Sequence, residues 1–233
     1  MEGQTVVVTG ASRGIGNAVA HAFADAGAHV IICARERDGI EDVAADIEAT
    51  GGKATATRAD VRDQFDVERL MEQAAEIGGA IDVVVANAAV YHGEAGGTPI
   101  TEESYAAFDD HMRTNARGTF ATVREALPHL ADDARILVAS GTVAREPYPG
   151  YGSYAVSKAA AEAIARGFGT DTEDIVVGVV DPGRVATELS GGEGHDPAEA
   201  AEQFIWAATE VADEELDGKV VDRGDWRRAT TEE

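Results

Sequence analysis

Short apolar runs alternate along the chain with longer amphipathic stretches. An apolar run bounded by turn residues is typical of a buried strand, and apolar positions three or four residues apart indicate a helix with one packed face. The pattern predicts strands at 5–9, 29–34, 53–59, 81–86, 135–139, 175–180 and 219–221. It predicts helices at 13–26, 38–50, 63–77, 101–130, 152–168 and 197–209.

Strands that alternate with helices in this way form βαβ units and a parallel sheet. We therefore expect an α/β fold, a doubly wound parallel sheet of about seven strands with helices on both faces. A single domain over residues 1–233 is expected, because no repeat or low-complexity linker divides the chain. Ligands of such sheets bind at the carboxyl ends of the strands.

Composition limits the class of protein. No apolar run reaches the ~18 residues that a membrane span needs. Met-Glu-Gly-Gln leads straight into the first strand, so no signal peptide is expected. Cys33, the only cysteine, lies in an apolar run. We expect a buried structural thiol, no disulfide and no metal site, and we expect a cytoplasmic protein with no membrane partner.

The charge is strongly acidic. Asp and Glu number 43 against 19 Lys and Arg, a formal net charge of −24. Only Lys53, Lys158 and Lys219 are lysines. Without a basic patch a nucleic-acid partner is not expected. A dispersed acidic coat poor in lysine indicates a halophilic protein, since salt screens its self-repulsion; the alternative is an acidic protein of ordinary habitat.

A glycine-rich turn joins the first predicted strand to its helix. Gly10 allows the tight turn, Gly14 lets backbone N–H groups approach a pyrophosphate, and Gly16 lets the helix pack closely on the sheet. The helix start then offers unpaired N–H groups and the positive end of its dipole to phosphates. Placed between a strand and a helix, this turn predicts a Rossmann-like dinucleotide site.

The end of the second predicted strand bears on which dinucleotide binds. An acidic residue there would favour NAD by accepting hydrogen bonds from the ribose. The strand ends instead in Cys33-Ala34-Arg35. Arg35 and Arg13 could flank a 2′-phosphate, which favours NADP over NAD. Glu36 is the counter-evidence, because it follows Arg35 and could pair with it; otherwise both arginines simply face solvent.

Tyr154 and Lys158 stand four residues apart and therefore share one face of a predicted helix. A phenol has a pKa near ~10, and a lysine ammonium one turn away favours the phenolate. Bringing that pKa to ~7 requires roughly 4 kcal/mol, which a close cation and a cofactor charge could supply. The spacing alone is common on ordinary surface helices, so the remaining motifs decide its meaning.

Taken in order, these segments resemble the short-chain dehydrogenase/reductase family over nearly the whole chain. Residues 9–16, Thr-Gly-Ala-Ser-Arg-Gly-Ile-Gly, resemble its TGxxxGxG turn, and residues 154–158 its YxxxK motif. Residues 86–89 are similar to its Asn-Asn-Ala-Gly segment, but alanine replaces the first Asn and the Gly. Further similar segments are Asp60-Val61, Thr114-Asn115 and the PGxxxT segment within 181–187.

The resemblance implies an NAD(P)-dependent oxidoreductase that interconverts a carbonyl and an alcohol, with a small-molecule substrate and a homodimer or homotetramer. Tyr154 would be the general acid or base, Lys158 would hold the nicotinamide ribose, and Asn115 would relay protons through a bound water. With the residues above, the implied cofactor set is Gly10, Ser12, Arg13, Gly14, Ile15, Gly16, Arg35, Asp60, Val61, Asn87, Tyr154, Lys158, Pro182, Gly183, Val185 and Thr187.

The catalytic serine of the family is the uncertain member. It usually stands 13 residues before the tyrosine, where this chain has Gly141. Ser140 and Thr142 lie on either side. We predict that Ser140 takes the role through an extra residue near Arg145 and Glu146, with Thr142 as the next candidate. If neither hydroxyl serves, the protein is impaired or non-catalytic.

Several other residues have open assignments. His92, His111 and His195 show no metal-ligand spacing, and surface or loop positions are expected. Tyr91, His92, Tyr148 and Tyr151 are candidates for a substrate pocket, and residues 188–196 for a short lid. Candidate substrates are 3-oxoacyl thioesters, sugars and small ketones. The rival hypothesis is a regulatory or scaffold protein that binds NADP without turnover.

Overall fold

The computed structural model describes residues 1–172 and 174–231, so three residues of the predicted domain lie outside the described part. The described strands are β1 Thr5–Thr9, β2 His29–Ala34, β3 Lys53–Arg58, β4 Ile81–Ala86, β5 Leu130–Ala139, β6 Val176–Asp181 and β7 Val220–Asp222. They form one parallel sheet in the order β3-β2-β1-β4-β5-β6-β7. The predicted doubly wound sheet is confirmed.

Helices connect the strands. They are α1 Gly14–Asp25, α2 Arg37–Ala49, α3 Gln64–Gly78, α4 Tyr105–His111, α5 Arg117–Ala126, α6 Gly152–Asp171, α7 Pro197–Thr209, α8 Asp213–Leu216 and α9 Arg223–Thr231. The sequence pattern did not predict the two short C-terminal helices, α8 and α9, which carry few apolar residues.

The predicted helix over 101–130 is wrong in its length and continuity. Thr101 lies in a 3-10 turn, and Ser104 caps α4 by accepting a hydrogen bond from the Ala107 N–H at 3.1 Å. A five-residue π-helical segment, Met112–Ala116, separates α4 from α5. Pro128 lies in the 3-10 turn that follows α5, and β5 already begins at Leu130. A period-based prediction detects neither the π segment nor the early strand.

The sheet buries both of its faces. On one side α1, α2 and α7 pack against it, with Phe23, Ile47 and Phe204 almost fully buried. On the other side α3, α5 and α6 cover it, with Leu70 and Val123 fully buried. Each such side chain contributes roughly 1.5–3 kcal/mol of transfer free energy. The two layers hold the strand ends rigidly in place.

The position of β1 determines where a ligand can bind. β1 lies between β2 and β4, so the chain leaves β1 and β4 in opposite directions across the sheet and opens a crevice at their carboxyl ends. Gly10, Asn87, Ser140 and Pro182 follow β1, β4, β5 and β6 directly and therefore lie along this edge. None of the helices in the described ranges is long and apolar enough to cross a membrane.

Candidate active site

The glycine turn has the backbone geometry that its sequence predicts. Gly10 and Gly14 have φ of +69° and +60°, a region that side chains with a Cβ disfavour. A Cβ on Gly10 would lie 2.7 Å from the Ala88 Cα, and one on Gly16 only 2.4 Å from the Gly10 carbonyl oxygen. Arg13 precedes α1 without a side-chain cap, so the helix start is left to an external anion.

Thr9 and Asn87 hold this turn against the end of β4. The Thr9 hydroxyl accepts hydrogen bonds from the Asn87 and Ala88 N–H groups at 3.1 and 3.2 Å. The Asn87 side chain donates to the Thr9 and Gly10 carbonyls at 3.0 and 3.2 Å. Asn87 thus supports the glycine turn directly, and the role of Thr9 in this clamp was missed from the sequence.

The two arginines proposed for a 2′-phosphate differ in their surroundings. Arg35 is exposed and has no ion pair with any described residue, Glu36 included. Arg13 donates from Nη1 to the Glu188 Oε2 at 2.6 Å, and both side chains are largely exposed. An exposed pair of this kind contributes little, about 0–1 kcal/mol, so a phosphate can compete for Arg13.

The remaining cofactor candidates near β1 and β3 line the same crevice. Ser12 is half-buried and Ile15 packs against the core of the α1 side. Asp60 follows β3, and Val61 packs closely against Gly118. Burial opposes ionisation of Asp60, but hydrogen bonds from Arg62 outweigh it and lower the pKa of that carboxyl. Asp60 is therefore charged and already bonded to Arg62.

Tyr154 and Lys158 lie on the face of α6 that packs on the sheet. Lys158 is buried, and its Nζ donates to the Ala139 carbonyl at the end of β5 at 2.9 Å. The same Nζ lies 5.8 Å from the centre of the Tyr154 ring. The Tyr154 hydroxyl has no hydrogen-bond partner among residues 1–172 and 174–231.

The acid strength of the pair differs from the expectation. Burial lowers the pKa of Lys158 to about 8, against the opposing effect of Glu162 and Asp181. Burial, with the nearby charges of Tyr151 and Asp181, raises the pKa of Tyr154 above its ordinary value. The spacing of the two residues predicted a lowered phenol pKa. The difference arises because the ammonium donates to Ala139 while the phenol is desolvated, and the described residues keep Tyr154 protonated.

Asn115 occupies the π-helical segment and is almost fully buried. Its Oδ1 accepts from the Val90 N–H at 2.7 Å, and its Nδ2 donates to the Val90 carbonyl at 2.9 Å. The same Nδ2 donates to the Ser157 hydroxyl at 2.9 Å. Asn115 thus joins α6 to the loop after β4, and its side chain is already committed to protein partners.

The candidate hydroxyls after β5 point to carboxylates. Ser140 donates to Oε1 of Glu162 at 2.7 Å, and Thr142 donates to Oδ2 of Asp181 at 3.1 Å. Gly141 between them has extended backbone angles, φ −166° and ψ 159°. A Cβ there would meet only the Val143 Cγ2, at 4.0 Å. A hydroxyl that already donates to a carboxylate cannot donate to a substrate oxygen unless it turns.

Arg145 links those two carboxylates. Its guanidinium bonds to Oε1 of Glu162 and to Oδ2 of Asp181, which lie on α6 and at the end of β6. Sequence reasoning missed Arg145 and Glu162, because their partners lie 17 and 36 residues away from Arg145. The only available signal was the position of Glu162 one turn after Lys158 on the same helix face.

The segment after β6 folds over the glycine turn. Pro182 is buried, and Asp181 Oδ1 accepts from the Gly183 N–H at 2.9 Å. Val185 is buried and forms a bridge with His195, which closes residues 188–194 into a loop. The Thr187 Cγ2 lies 3.2 Å from the place where a Gly14 Cβ would be. The predicted lid segment and the cofactor turn are therefore neighbours.

Aromatic rings surround Tyr154. The ring centres of Tyr91, His111 and Tyr151 lie 5.0, 6.1 and 6.4 Å from that of Tyr154. Tyr148, half-exposed, contacts Tyr151 edge-on. Three of the four proposed pocket residues, Tyr91, Tyr148 and Tyr151, thus form one group beside the predicted proton donor.

The expectation that His111 lies at the surface or in a loop is wrong. His111 is fully buried at the end of α4. Its Nε2 accepts from the His92 N–H at 3.1 Å, so Nδ1 carries the proton and donates to the Ser153 hydroxyl at 2.7 Å. Ser153 in turn donates to Glu103 Oε2 at 2.7 Å. Burial lowers the pKa of His111, which keeps the ring neutral.

The structure brings the predicted set together along one edge of the sheet. The glycine turn, Asn87, the end of β5 and the segment after β6 border a single crevice, and Tyr154 and Lys158 form its floor beside Ala139. Ser140 and Thr142 lie at the same edge but are bonded to Glu162 and Asp181. Within the described ranges, no group of three or more His, Cys, Asp or Glu side chains is arranged to hold a metal ion.

Comparison with known proteins supplies the family context. The sequence profile described as short chain dehydrogenase matches residues 4–198. A versicolorin reductase of Emericella nidulans is 35% identical over 193 residues, 81% of this chain and 72% of that protein. A hydroxynaphthalene reductase-like protein of Metarhizium acridum is 34% identical over 81% of this chain and 71% of its own length.

The fold has equally close counterparts among solved structures. A short chain dehydrogenase from Burkholderia cenocepacia in complex with NADP superposes with a TM-score of 0.85 at 26% identity, covering 95% of this chain and 96% of the other. The likeness therefore extends over the whole crevice as well as over the sheet.

Proposed function

The chain belongs to the short-chain dehydrogenase family, and from that premise we propose that it is an oxidoreductase that interconverts a ketone or aldehyde and an alcohol, with Tyr154 as proton donor and acceptor. The observation that carries the proposal is the free Tyr154 hydroxyl beside the buried Lys158 ammonium, at the edge where the glycine turn lies. Bound nicotinamide would supply or accept the hydride.

Each residue of the pair has a task in that reaction. For carbonyl reduction the protein must give a proton to the substrate oxygen, and a protonated phenol with a raised pKa is the species that can do so. Lys158 supplies positive charge next to the phenolate that this transfer leaves behind. Asn115 fixes the loop after β4 and α6 relative to each other, which keeps Tyr154 in position.

Turnover tests the proposal directly. In molar salt, NADPH consumption with a panel of ketones and diketones is expected for the wild-type protein. Tyr154→Phe is expected to reduce kcat by about 10²- to 10⁴-fold, since it removes the proton donor. Phe also removes no atom of the ring packing, so NADPH affinity is expected to remain. Equal rates in the two proteins would refute the assignment of Tyr154.

For the cofactor we propose NADP as the preferred dinucleotide, with NAD as a weaker alternative. The uncapped α1 start and the cradle at Gly14 suit a pyrophosphate. The exposed Arg35 at the end of β2 is available to a 2′-phosphate, and no acidic side chain occupies the end of that strand. The NADP in the Burkholderia cenocepacia structure supports this choice.

For the substrate we propose a flat aromatic ketone. Tyr91, Tyr148, Tyr151 and His111 offer ring faces and edges around the Tyr154 hydroxyl, and stacked aromatic pairs contribute about 0.5–1.5 kcal/mol beyond their buried area. The name of the hydroxynaphthalene reductase-like relative supports an aromatic substrate. The 3-oxoacyl thioesters, sugars and aliphatic ketones remain the competing classes.

Competition between substrates tests this choice. A tetralone is expected to have a higher kcat/KM than an acetoacetyl thioester or a straight-chain ketone. Tyr148→Ala should lower kcat/KM for the tetralone while leaving the aliphatic ketone almost unchanged. Tyr105→Ala is the matched control, because Tyr105 is 91% exposed on α4. A tetralone that is not turned over, beside an active thioester, would favour the 3-oxoacyl class.

A homo-oligomer is also proposed. Phe108, Phe120 and Val156 are each more than one-third exposed on α4, α5 and α6. Apolar side chains grouped on one set of helices are typical of a covered surface. We further propose a halophilic, cytoplasmic protein, since the net charge of −24 needs strong screening to remain compatible with a compact fold.

The second candidate is a protein that binds NADP without turnover. Gly141 favours it, because the position that carries the catalytic serine in the family has no hydroxyl, and both neighbouring hydroxyls are bonded to carboxylates. Calorimetric binding of NADPH, with no consumption of it on any panel member, would select this candidate over the enzyme.

A further inference from the structure

Four ionisable side chains meet behind Tyr154. Lys158 and Glu162 come from α6, Asp181 from the end of β6, and Arg145 from the segment after β5. Arg145 bonds to both carboxylates, while Ser140 and Thr142 donate to them at 2.7 and 3.1 Å. We call Arg145, Glu162, Asp181 and Lys158 the buried charge cluster.

The cluster is balanced in charge. It holds two positive and two negative groups, and the side chains of Glu162 and Asp181 are only 7% and 2% exposed. Buried carboxylates remain ionised only when a cation and hydrogen-bond donors compensate them. Arg145 is that compensating cation, and its own side chain is one-third exposed.

Arg145 also determines what Lys158 contacts. Glu162 and Asp181 are the two carboxylates whose charges reach Lys158. Because their oxygens already face Arg145, the Lys158 Nζ pairs with neither of them within the described residues and donates to the Ala139 carbonyl instead. Without Arg145, the ammonium would be drawn into a direct ion pair, away from the crevice.

We propose that Arg145, Glu162 and Asp181 are positioning residues that set the proton affinity of Lys158 and keep its ammonium directed at the site of Tyr154. The inference rests on the proposed acid–base function of Tyr154 and Lys158. Loss of the Glu162 charge should make Lys158 easier to deprotonate, and loss of the Arg145 charge should make it harder.

The neighbours of the pair are few. Besides the cluster, Tyr154 on the same helix is the titratable group that faces Lys158. Tyr91, from the loop after β4, Tyr151 and the neutral His111 from α4 surround the Tyr154 ring. All three are uncharged near neutral pH, so the field at Lys158 comes mainly from the cluster itself. Burial already lowers the pKa of Lys158 to about 8, a value at which small changes alter its protonation.

The small number of lysines makes the test direct. Protein labelled with ¹⁵N at the lysine Nζ and ¹³C at Cε gives signals from Lys53, Lys158 and Lys219 alone. Lys53 and Lys219 are exposed and serve as internal references. Lys158→Met assigns the third signal. The pH titration of that signal is then recorded by NMR in molar KCl for wild type and variants.

Opposite shifts are expected. Glu162→Gln should lower the Lys158 midpoint, and Arg145→Met should raise it, each by on the order of one pKa unit, a tenfold change in proton affinity. The double variant Arg145→Met with Glu162→Gln restores the charge balance and should return towards wild type. Arg145→Lys should stay close to wild type, because it keeps the charge.

The control removes an arginine of a different pair. Arg135 Nη2 bonds to Asp213 Oδ1 at 2.5 Å near the start of β5, at the other end of the strand from Ser140. Arg135→Met should change thermal stability without moving the Lys158 midpoint. If Arg145→Met does not fold, Glu162→Gln and the double variant still decide. Unmoved Lys158 midpoints in folded Glu162→Gln protein would overturn the inference.

Activity provides the second readout. In active protein, the pH profile of kcat/KM should move in the same direction as the Lys158 midpoint, whereas a merely structural role would lower kcat/KM equally at every pH. The NMR titration needs no turnover. Shifted midpoints in a protein that turns over no substrate would therefore leave the control of Lys158 intact and refute the proposed function alone.

Discussion

Gly141→Ser places a hydroxyl at the position of the serine that Gly141 replaces, 13 residues before Tyr154. The backbone there is extended, and a Cβ would meet only the Val143 Cγ2, at 4.0 Å. The substitution is therefore expected to fold without strain. Loss of unfolded-state freedom at a compatible glycine stabilises a protein by about 0.4–1 kcal/mol.

The magnitude follows from what the new hydroxyl can donate. Ser140 and Thr142 already donate to Glu162 and Asp181, so neither compensates the negative charge that develops on a carbonyl oxygen during reduction. A new neutral hydrogen bond contributes about 0.5–1.5 kcal/mol, which predicts a 2- to 10-fold rise in kcat/KM. A fully preorganised donor would contribute about 10²- to 10³-fold, which is the upper limit.

The assay compares wild type, Gly141→Ser and Gly141→Ala by NADPH consumption with one ketone in molar KCl. Gly141→Ala adds the Cβ without the hydroxyl and should match wild type. In the Ser140→Ala background, Gly141→Ser should recover activity that Ser140→Ala loses. If Gly141→Ser is no faster than Gly141→Ala, while Ser140→Ala is inactive and not recovered, Ser140 itself serves and the reasoning about Gly141 is wrong.

Three further outcomes are expected. Arg35→Ala should weaken NADPH binding by about 10- to 100-fold, the value of a charge-assisted hydrogen bond, and leave NADH binding unchanged in calorimetry; an unchanged NADPH to NADH ratio would exclude Arg35 as the phosphate ligand. Phe120→Asp should shift the mass measured by light scattering towards the monomer, whereas Phe65→Asp, on α3 and 61% exposed, should not; equal masses for both variants and wild type would place any interface elsewhere. Lowering KCl from ~1 M to ~0.1 M lengthens the screening distance from about 3 to 10 Å and should lower the thermal midpoint, and a salt-independent midpoint would contradict the halophile proposal.

Most of the fold could be predicted because local pattern and tertiary context agree in this chain. Strands such as β1 and β4 are continuous apolar runs, and a buried parallel strand leaves that signal in any sequence. The failures occur where local pattern is silent. The π segment around Asn115 leaves helical periodicity almost intact, and the early start of β5 at Leu130 includes polar residues.

Within the site, motif spacing located Tyr154, Lys158 and the glycine turn. It could not reveal where hydroxyls point or which charges are buried. Whether Ser140 faces a substrate or Glu162 depends on a side-chain torsion, and the link from Arg145 to Asp181 joins residues 36 positions apart. His111 shows the same limit, because its burial is caused by packing against Ser153 and Tyr91 and not by its own helix.

The π segment has a consequence for changes of chain length. Each π turn contains one residue more than an α turn, so deleting one residue within Met112–Ala116 would let α4 and α5 join as a regular helix. Everything after the deletion would then rotate by about 100° and shift by about 1.5 Å. Gly118 would turn away from Val61, and Asn115 from Val90. Substitutions can be accommodated along α5, but deletions in this segment cannot, and insertion or deletion libraries should leave 112–118 unaltered.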